Sequence, residues 1–373
     1  MAEAEIGLGK SARPAYSLDD IAIVPTRRTR DADLVDISWE VDAFRFELPF
    51  LAGPLDAVVS PTSAVEIGRL GGVAVLDLEG LWARHADPAP IIEEIASLDD
   101  AAALAALRRA MQAPLDPDLV GQRIKELRAA GVVSAGAVTP QRTIDLADVI
   151  VAAELDLLLL AGTVVSAEHV TGDDAEPLNL KTFVRRFDVP VIVGGCTSYQ
   201  SALHLMRTGA AGVLVGGAAT SDEVNRQVLG IGLPQATAIA DVRAARMRHL
   251  DETGVYVQII ASGPLATGGD IAKAIACGAD AVLLGPPLAA ASDSPGHGAL
   301  WGQGAAHASL GRGGVEHHAP VGTLEEVLVG PACDLAGATN LFGALRATMA
   351  MSGLRSLKDL QKAELVVRQG SWA

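Results

Sequence analysis

Short apolar runs recur along most of this 373-residue chain, with helix-like stretches between them. Eight have the length of buried strands: "LPFLAGPLD" (48–56), "GVAVLDLEG" (72–80), "VVSAGAV" (132–138), "LDLLLLAG" (155–162), "VPVIVGGC" (189–196), "AGVLVGGA" (211–218), "VYVQIIASG" (255–263) and "ADAVLLGPP" (279–287). Most are Val, Ile and Leu without polar alternation, the pattern of strands covered on both faces. The segments between them carry helix signals. Ser60-Pro61 and Thr139-Pro140 pair an N-cap residue with a proline at the first helical position, and Gly209 and Gly278 stand where helices end. Ala202, Leu205 and Met206, and again Ile271, Ala274 and Ile275, recur at i, i+3 and i+4, so each of these helices has one buried face.

Eight βα units in one run predict an α/β fold, a (β/α)8 TIM barrel that occupies residues 1–373 as a single domain. An open doubly wound sheet would more typically carry a Gly-rich fingerprint after its first strand, and none follows here. The N-terminal segment is irregular apart from one strand-like piece, "DISWEVDAFRFE". Residues 81–131 read as two helices and a turn at Pro114-Leu115-Asp116-Pro117. After the eighth strand the rhythm stops: residues 291–338 are rich in Gly, His and Ser and read as a flap or lid, followed by a last helical stretch.

Composition narrows the function classes. The formal charge of −16 excludes a non-specific nucleic-acid binder, because such affinity is built from clustered Lys and Arg. The one basic run, Arg27 to Arg30, reads as a solvated loop. Cys196, Cys277 and Cys333 are odd in number and widely spaced, which suits a reducing compartment and neither disulfides nor zinc. The first residues lack the charge-then-apolar order of a leader, and no stretch reaches the roughly 18 apolar residues of a membrane span. A soluble, cytoplasmic protein is expected.

Barrel chemistry sits at the C-terminal ends of the strands. The candidates there are Asp56, Glu79, Thr163, Cys196, Gly216 to Glu223, Ser262, Gly263, Gly285 and Pro286. The loops after strands seven and eight are Gly-rich and lead into helix N-termini, a position where free backbone N–H groups and the helix dipole favour a phosphate. Cys196 has no His near it in sequence and reads as a small hydrophobe before it reads as a nucleophile. His317 and His318 lack a third ligand at suitable spacing, so no metal site is expected.

Several long matches resemble one family, that of IMP dehydrogenase and GMP reductase. "YSLDDIAIVP" (16–25) is similar to its N-terminal signature, and "LPFLAGPLDAVVSP" with "RLGGVAVL" to its first two strands. "DVPVIVGGC" resembles its fifth strand, "GDIAKAIACGADAVLLG" its helix 7 and strand 8, and "LGIGLPQATAIAD" the stretch after its nucleophile loop. The likeness covers nearly the whole chain and is greatest to the shorter, dehydrogenase-related branch. Residues 81–131 are too few to hold the paired regulatory (CBS-type) modules. The resemblance implies a purine nucleotide 5'-monophosphate (IMP, XMP or GMP) anchored by its phosphate, NAD or NADP beside it, and a Cys that attacks purine C2. It also implies a homotetramer, or assembly with an active relative.

Counting back from "GIGLPQ" places Ser221 on the family's phosphate-binding Ser, Arg226 on its Arg, and Glu223 on its nucleophilic Cys. The thiol is missing. The ribose-binding Asp of strand seven becomes Ser262, the Ser of strand eight Pro286, the nicotinamide-facing Asp of strand four Ala161, and the Asn after strand five Cys196. The reductase's Lys on strand two becomes Leu78. By this alignment the substrate contacts are Cys196, Gly216, Gly217, Ser221, Ser262, Gly263, Gly285, Pro286 and, in the flap, Trp301, Gly302 and Gln303. The cofactor contacts are Ala161, Gly162 and Thr163, and the remaining catalytic candidates are Glu223 and Cys196. Three functions follow: an oxidoreductase at purine C2, a non-catalytic nucleotide-binding or regulatory barrel, or a repurposed barrel enzyme acting on another phosphorylated metabolite.

Overall fold

Each of the eight apolar runs forms a strand, shorter than the run itself because the run's ends turn into loops. In the computed structural model, which describes residues 4–162, 165–167, 179–216, 228–302 and 314–368, the strands are β1 (Phe50–Ala52), β2 (Val73–Asp77), β3 (Ala135–Val138), β4 (Leu157–Ala161), β5 (Val191–Cys196), β6 (Gly212–Val215), β7 (Gln258–Ser262) and β8 (Ala281–Leu284). They pair in sequence order, all parallel, and β8 returns to β1 to close the barrel. Closure leaves no strand edge unpaired. Every strand residue is buried except Gln258, which is partly exposed. This is why the runs show no alternation: the inward side chains fill the barrel and the outward ones meet helices. Each aliphatic side chain so buried stabilises the fold by roughly 1.5–3 kcal/mol before chain entropy is set against it.

Helix signals hold at several junctions. Ser60 caps helix Pro61–Arg69 by accepting from Ser63 N, and Gly209 and Gly278 take the positive φ that a helix end needs. Three expectations need correction. Thr139 does not cap a helix, because Pro140 and Gln141 make a turn and the helix starts at Thr143 with Arg142 at its cap; Thr139 N donates to Glu79 instead. The segment 81–131 holds three α-helices rather than two, Ala89–Ser97, Asp100–Ala110 and Pro117–Ala129. The Ala/Leu-rich stretch is divided at Asp99, whose carboxylate accepts from Ala102 N and restarts the helix. "DISWEVDAFRFE" is a hairpin of Trp39–Val41 and Phe44–Phe46, with Asp42 in left-handed backbone at its turn.

The excursion at 291–338 is more ordered than its composition predicts. Ala299–Leu300 pairs antiparallel with Glu316–His317, and Leu324–Leu328 forms a short helix capped by Thr323. Ala299, Trp301 and Val315 join Leu81, Ile92, Ile95 and Leu107 in a second apolar core, apart from the one around the barrel. Residues 303–313, one part of the 291–338 stretch expected to form the lid, lie outside the described part of the chain. Among the described residues, no helix is long and apolar enough to cross a membrane.

Candidate functional site

At the mouth of the barrel the structure separates the candidates into groups with different fates. Cys196 ends β5 with its thiol only 3% exposed and donating to Leu214 O at 3.4 Å. Burial pushes its pKa up to about 12, so at neutral pH it is a protonated core residue. Gly162 N donates to Gly194 O and Gly162 O accepts from Gly195 N, so the end of β4 spends this backbone on β5. Ala161 is buried in the same strand. Neither presents a polar side chain to a cofactor. Thr163, Gly217, Ser221, Glu223, Arg226 and Gln303 lie outside the described residues.

In the two loops expected to hold phosphate, the chain's own groups take several of the donors. After β7 comes helix Gly268–Cys277, whose N-terminus is occupied by its own Asp270: this carboxylate accepts from Ala266 N, Thr267 N and Thr267 Oγ1 at 2.9–3.2 Å. Thr267 Oγ1 in turn accepts from Asp270 N. After β8, Gly285 leads into Pro286 and Pro287, which carry no N–H, and Leu288 N and Ala289 N both return to Gly285 O. Gly-rich composition signals the turns here, and these contacts decide which N–H groups stay open.

A second cluster forms at the ends of β1 and β2. Asp56 is 4% exposed and accepts from Leu81 N with both oxygens at 3.0 Å. Its approach is so close that a Cβ on Gly80 would lie 2.2 Å from Oδ1. Burial pushes the Asp56 carboxyl up to about 6, against the pull of the Leu81 and Trp82 N–H groups, Trp301 and Arg84. Asp77, also 4% exposed, accepts from Glu79 N at 2.9 Å. Trp301, 4% exposed, lines the same small cavity as the pair. Of this cluster the alignment anticipated Trp301 and Gly302, and strand-end position anticipated Asp56. Asp77 was hidden inside an apolar run.

Gln235 was not anticipated either. It is 5% exposed at the start of helix Gln235–Thr253, and its Nε2 donates to Ser262 O at 2.7 Å. Gly263, at φ +153°, lets the Gln235 amide approach to where a Cβ would be 2.5 Å from Oε1. Gly216 has φ +105° and donates its N–H to Cys196 O at 3.0 Å. Among the described residues no group of three or more His, Cys, Asp or Glu could hold a metal ion. His317 and His318 instead face Asp100 and Glu316.

A closed parallel barrel whose candidate polar groups gather at the strands' C-terminal ends defines the class as a barrel of the kind that carries ligand sites on its βα loops. Comparison with known proteins gives the family. A sequence model described as the IMP dehydrogenase / GMP reductase domain matches residues 15–327, and the chain belongs to that family. It is 50% identical over 377 residues to an uncharacterized oxidoreductase of Mycobacterium tuberculosis, covering 97% of this chain and 99% of that one. The inosine-5'-monophosphate dehydrogenase of Escherichia coli is 36% identical over 170 residues, 46% of this chain and 32% of that one. The crystal structure of an IMP dehydrogenase/GMP reductase-like protein from Corynebacterium glutamicum superposes with a TM-score of 0.92 at 45% identity, covering 98% of both chains.

Proposed function

We propose that this barrel binds a purine nucleotide 5'-monophosphate at its mouth, with NAD or NADP as the partner the family implies, and does not form a covalent thiol adduct at purine C2. The observation that carries this reading is the state of Cys196: the one cysteine at the mouth among the described residues is buried, bonded to Leu214 O and protonated. With Glu223 aligned on the family's thiol position, no thiolate is supplied. A carboxylate there would give a labile acyl-type adduct, so Glu223 serves better as a base toward water than as the nucleophile. Ser221 and the backbone around Gly216 and Gly217 are the phosphate contacts this reading requires. Homotetramer formation, or assembly with an active relative, belongs to the same reading.

A specific observation favours a second reading, that of a repurposed barrel acting on a different metabolite. Asp270 and the Pro286-Pro287 pair remove donors from both loops where a phosphate was expected. One experiment separates the two. Purified protein is mixed with IMP, XMP or GMP and NAD(P)(H), cofactor absorbance is followed against a Glu223→Ala baseline, and thermal shifts are read in parallel. The first reading predicts a nucleotide-dependent rise in melting temperature without turnover. Turnover above the Glu223→Ala baseline would overturn the expectation of binding without turnover and give Glu223 a part in the chemistry. No shift with any purine nucleotide would transfer support to the repurposed barrel.

A further inference from the structure

Two charged features of the chain stay uncompensated within it. Arg27 and Arg28, in the single basic run, are exposed, and neither is ion-paired among the described residues. Their loop is fixed on both sides: Thr26 Oγ1 donates to Ser352 O at 2.8 Å, and Arg30 donates from N to Ala350 O at 3.0 Å and from Nη2 to Gly353 O at 2.7 Å. The second feature is a groove of about 850 Å³ between helix Pro61–Arg69, helix Ala89–Ser97 and the segment 293–297. Trp82 and Ile92 give it apolar walls, and Glu66, Glu93, Glu126 and Asp293 line it with carboxylates. Arg69 lies 3.8 Å from Glu66, and Arg123 lies 3.2 Å from Glu126. Glu93 and Asp293 have no cation partner among the described residues, although Asp293 accepts from Leu324 N.

We propose that the Arg27-Arg28 loop of one copy docks in this groove of a second copy. The proposal rests on the self-assembly part of the reading above and names the contact that carries it. Two unpaired cations meet two unpaired carboxylates, and the aliphatic stems of the arginines cover the apolar walls. At a formal charge of −16 two copies repel over most of their surface, so a contact forms where the signs differ locally. The anchored loop loses little freedom on docking, because Thr26 and Arg30 already hold it. Loop and groove are different surfaces, so the contact is heterologous, and a homotetramer repeats it around a ring.

Charge reversal on the full chain, read by analytical ultracentrifugation, tests this. The loop variant is Arg27→Glu with Arg28→Glu, and the groove variant is Glu66→Lys with Glu93→Lys; circular dichroism checks that both fold. Each should assemble at least about tenfold more weakly than wild type, because like charges then face each other. An equal mixture of the two variants should recover wild-type assembly, since every reversed loop finds a reversed groove and every native loop a native one. An unfolded variant could not be rescued in this way. A wild-type chain that stays monomeric overturns the proposal together with the self-assembly reading. Reversed variants that assemble as tightly as wild type overturn the proposal alone, as do two weakened variants that the mixture fails to rescue.

Discussion

Arg246 Nη1 lies 2.6 Å from Asp280 Oδ2, with the two side chains only 2% and 4% exposed, at the opposite end of the barrel from the candidate site. Asp280 also accepts from Ile259 N, Tyr256 OH, Lys358 Nζ and Gln361 Nε2 at 2.7–2.9 Å, so one carboxylate ties β7, β8, the long helix and the C-terminal segment together. Tyr256 lies between the two cations, 4.5 Å from Arg246 and 4.0 Å from Lys358. Burial and the adjoining carboxylate raise the Tyr256 pKa, and burial lowers that of Lys358. Asp280→Ala leaves Arg246 charged and buried without its partner, and should cost about 3–5 kcal/mol in urea unfolding. Lys358→Ala, at a side chain 54% exposed, should cost about 1 kcal/mol or less. Equal losses from the two variants would refute the central place given to the buried pair.

Asp56 should make stability depend on pH in an unusual direction. Its carboxyl is raised from 3.8 to about 6, so the native state holds a proton that the unfolded chain has released. The stabilising contribution is complete below pH 3.8 and is lost as pH rises through about 6, a change of about 3 kcal/mol. Asp56→Asn keeps an acceptor for Leu81 N and cannot titrate. Compared by chemical denaturation at pH 5 and pH 8, the variant should lack this part of the wild-type decline. Identical pH slopes would show that Asp56 does not hold a proton in the native state.

Thiol labelling should read the cysteines one by one. Cys333 is exposed, whereas Cys196 and Cys277 are buried and burial pushes both of their pKa values up to about 12. Native protein treated with iodoacetamide at pH 8 should gain one adduct by intact mass, located at Cys333. Unfolding in guanidinium should raise the count to three. Rapid alkylation of Cys196 in the native state would restore it as a reactive group at the mouth.

Gly263→Ala tests the packing beneath the candidate site. The new methyl meets the Gln235 amide, which is held by Ser262 O, and it sits at a backbone angle that side chains seldom adopt. A loss of roughly 1–3 kcal/mol is expected in thermal unfolding. If the nucleotide lies over this loop, the melting shift with IMP should shrink beyond what the stability loss explains. A variant as stable as wild type would mean that Gln235 yields freely.

The barrel was legible because strand burial on both faces leaves a signal in every unit: eight apolar runs gave eight strands, and Ser60, Gly209 and Gly278 marked helix boundaries as physics expects. Departures arose where tertiary contacts decide. Glu79 captures Thr139 N and delays a helix; Asp99 divides an apparently continuous one. The site was less legible because donor availability depends on which N–H groups remain free. Gly-rich spacing after β7 and β8 does not reveal that Asp270 takes the N–H groups just ahead of one helix or that two prolines remove donors at the other. Asp77 could not be distinguished in an apolar run, because its polarity acquires meaning only beside Asp56 and Trp301.

The second apolar core has a consequence for how this chain can be remodelled. Helices Ala89–Ser97 and Asp100–Ala110 and the strand pair Ala299–Leu300 and Glu316–His317 come from loops more than 180 residues apart, yet each hides the other's greasy side. Loop swapping, a routine way to retune barrels, therefore has to move both pieces as one cassette. Trimming either alone would expose Ile92, Ile95 and Leu107, or Trp301 and Val315, and make a sticky rim where the parent has a smooth one.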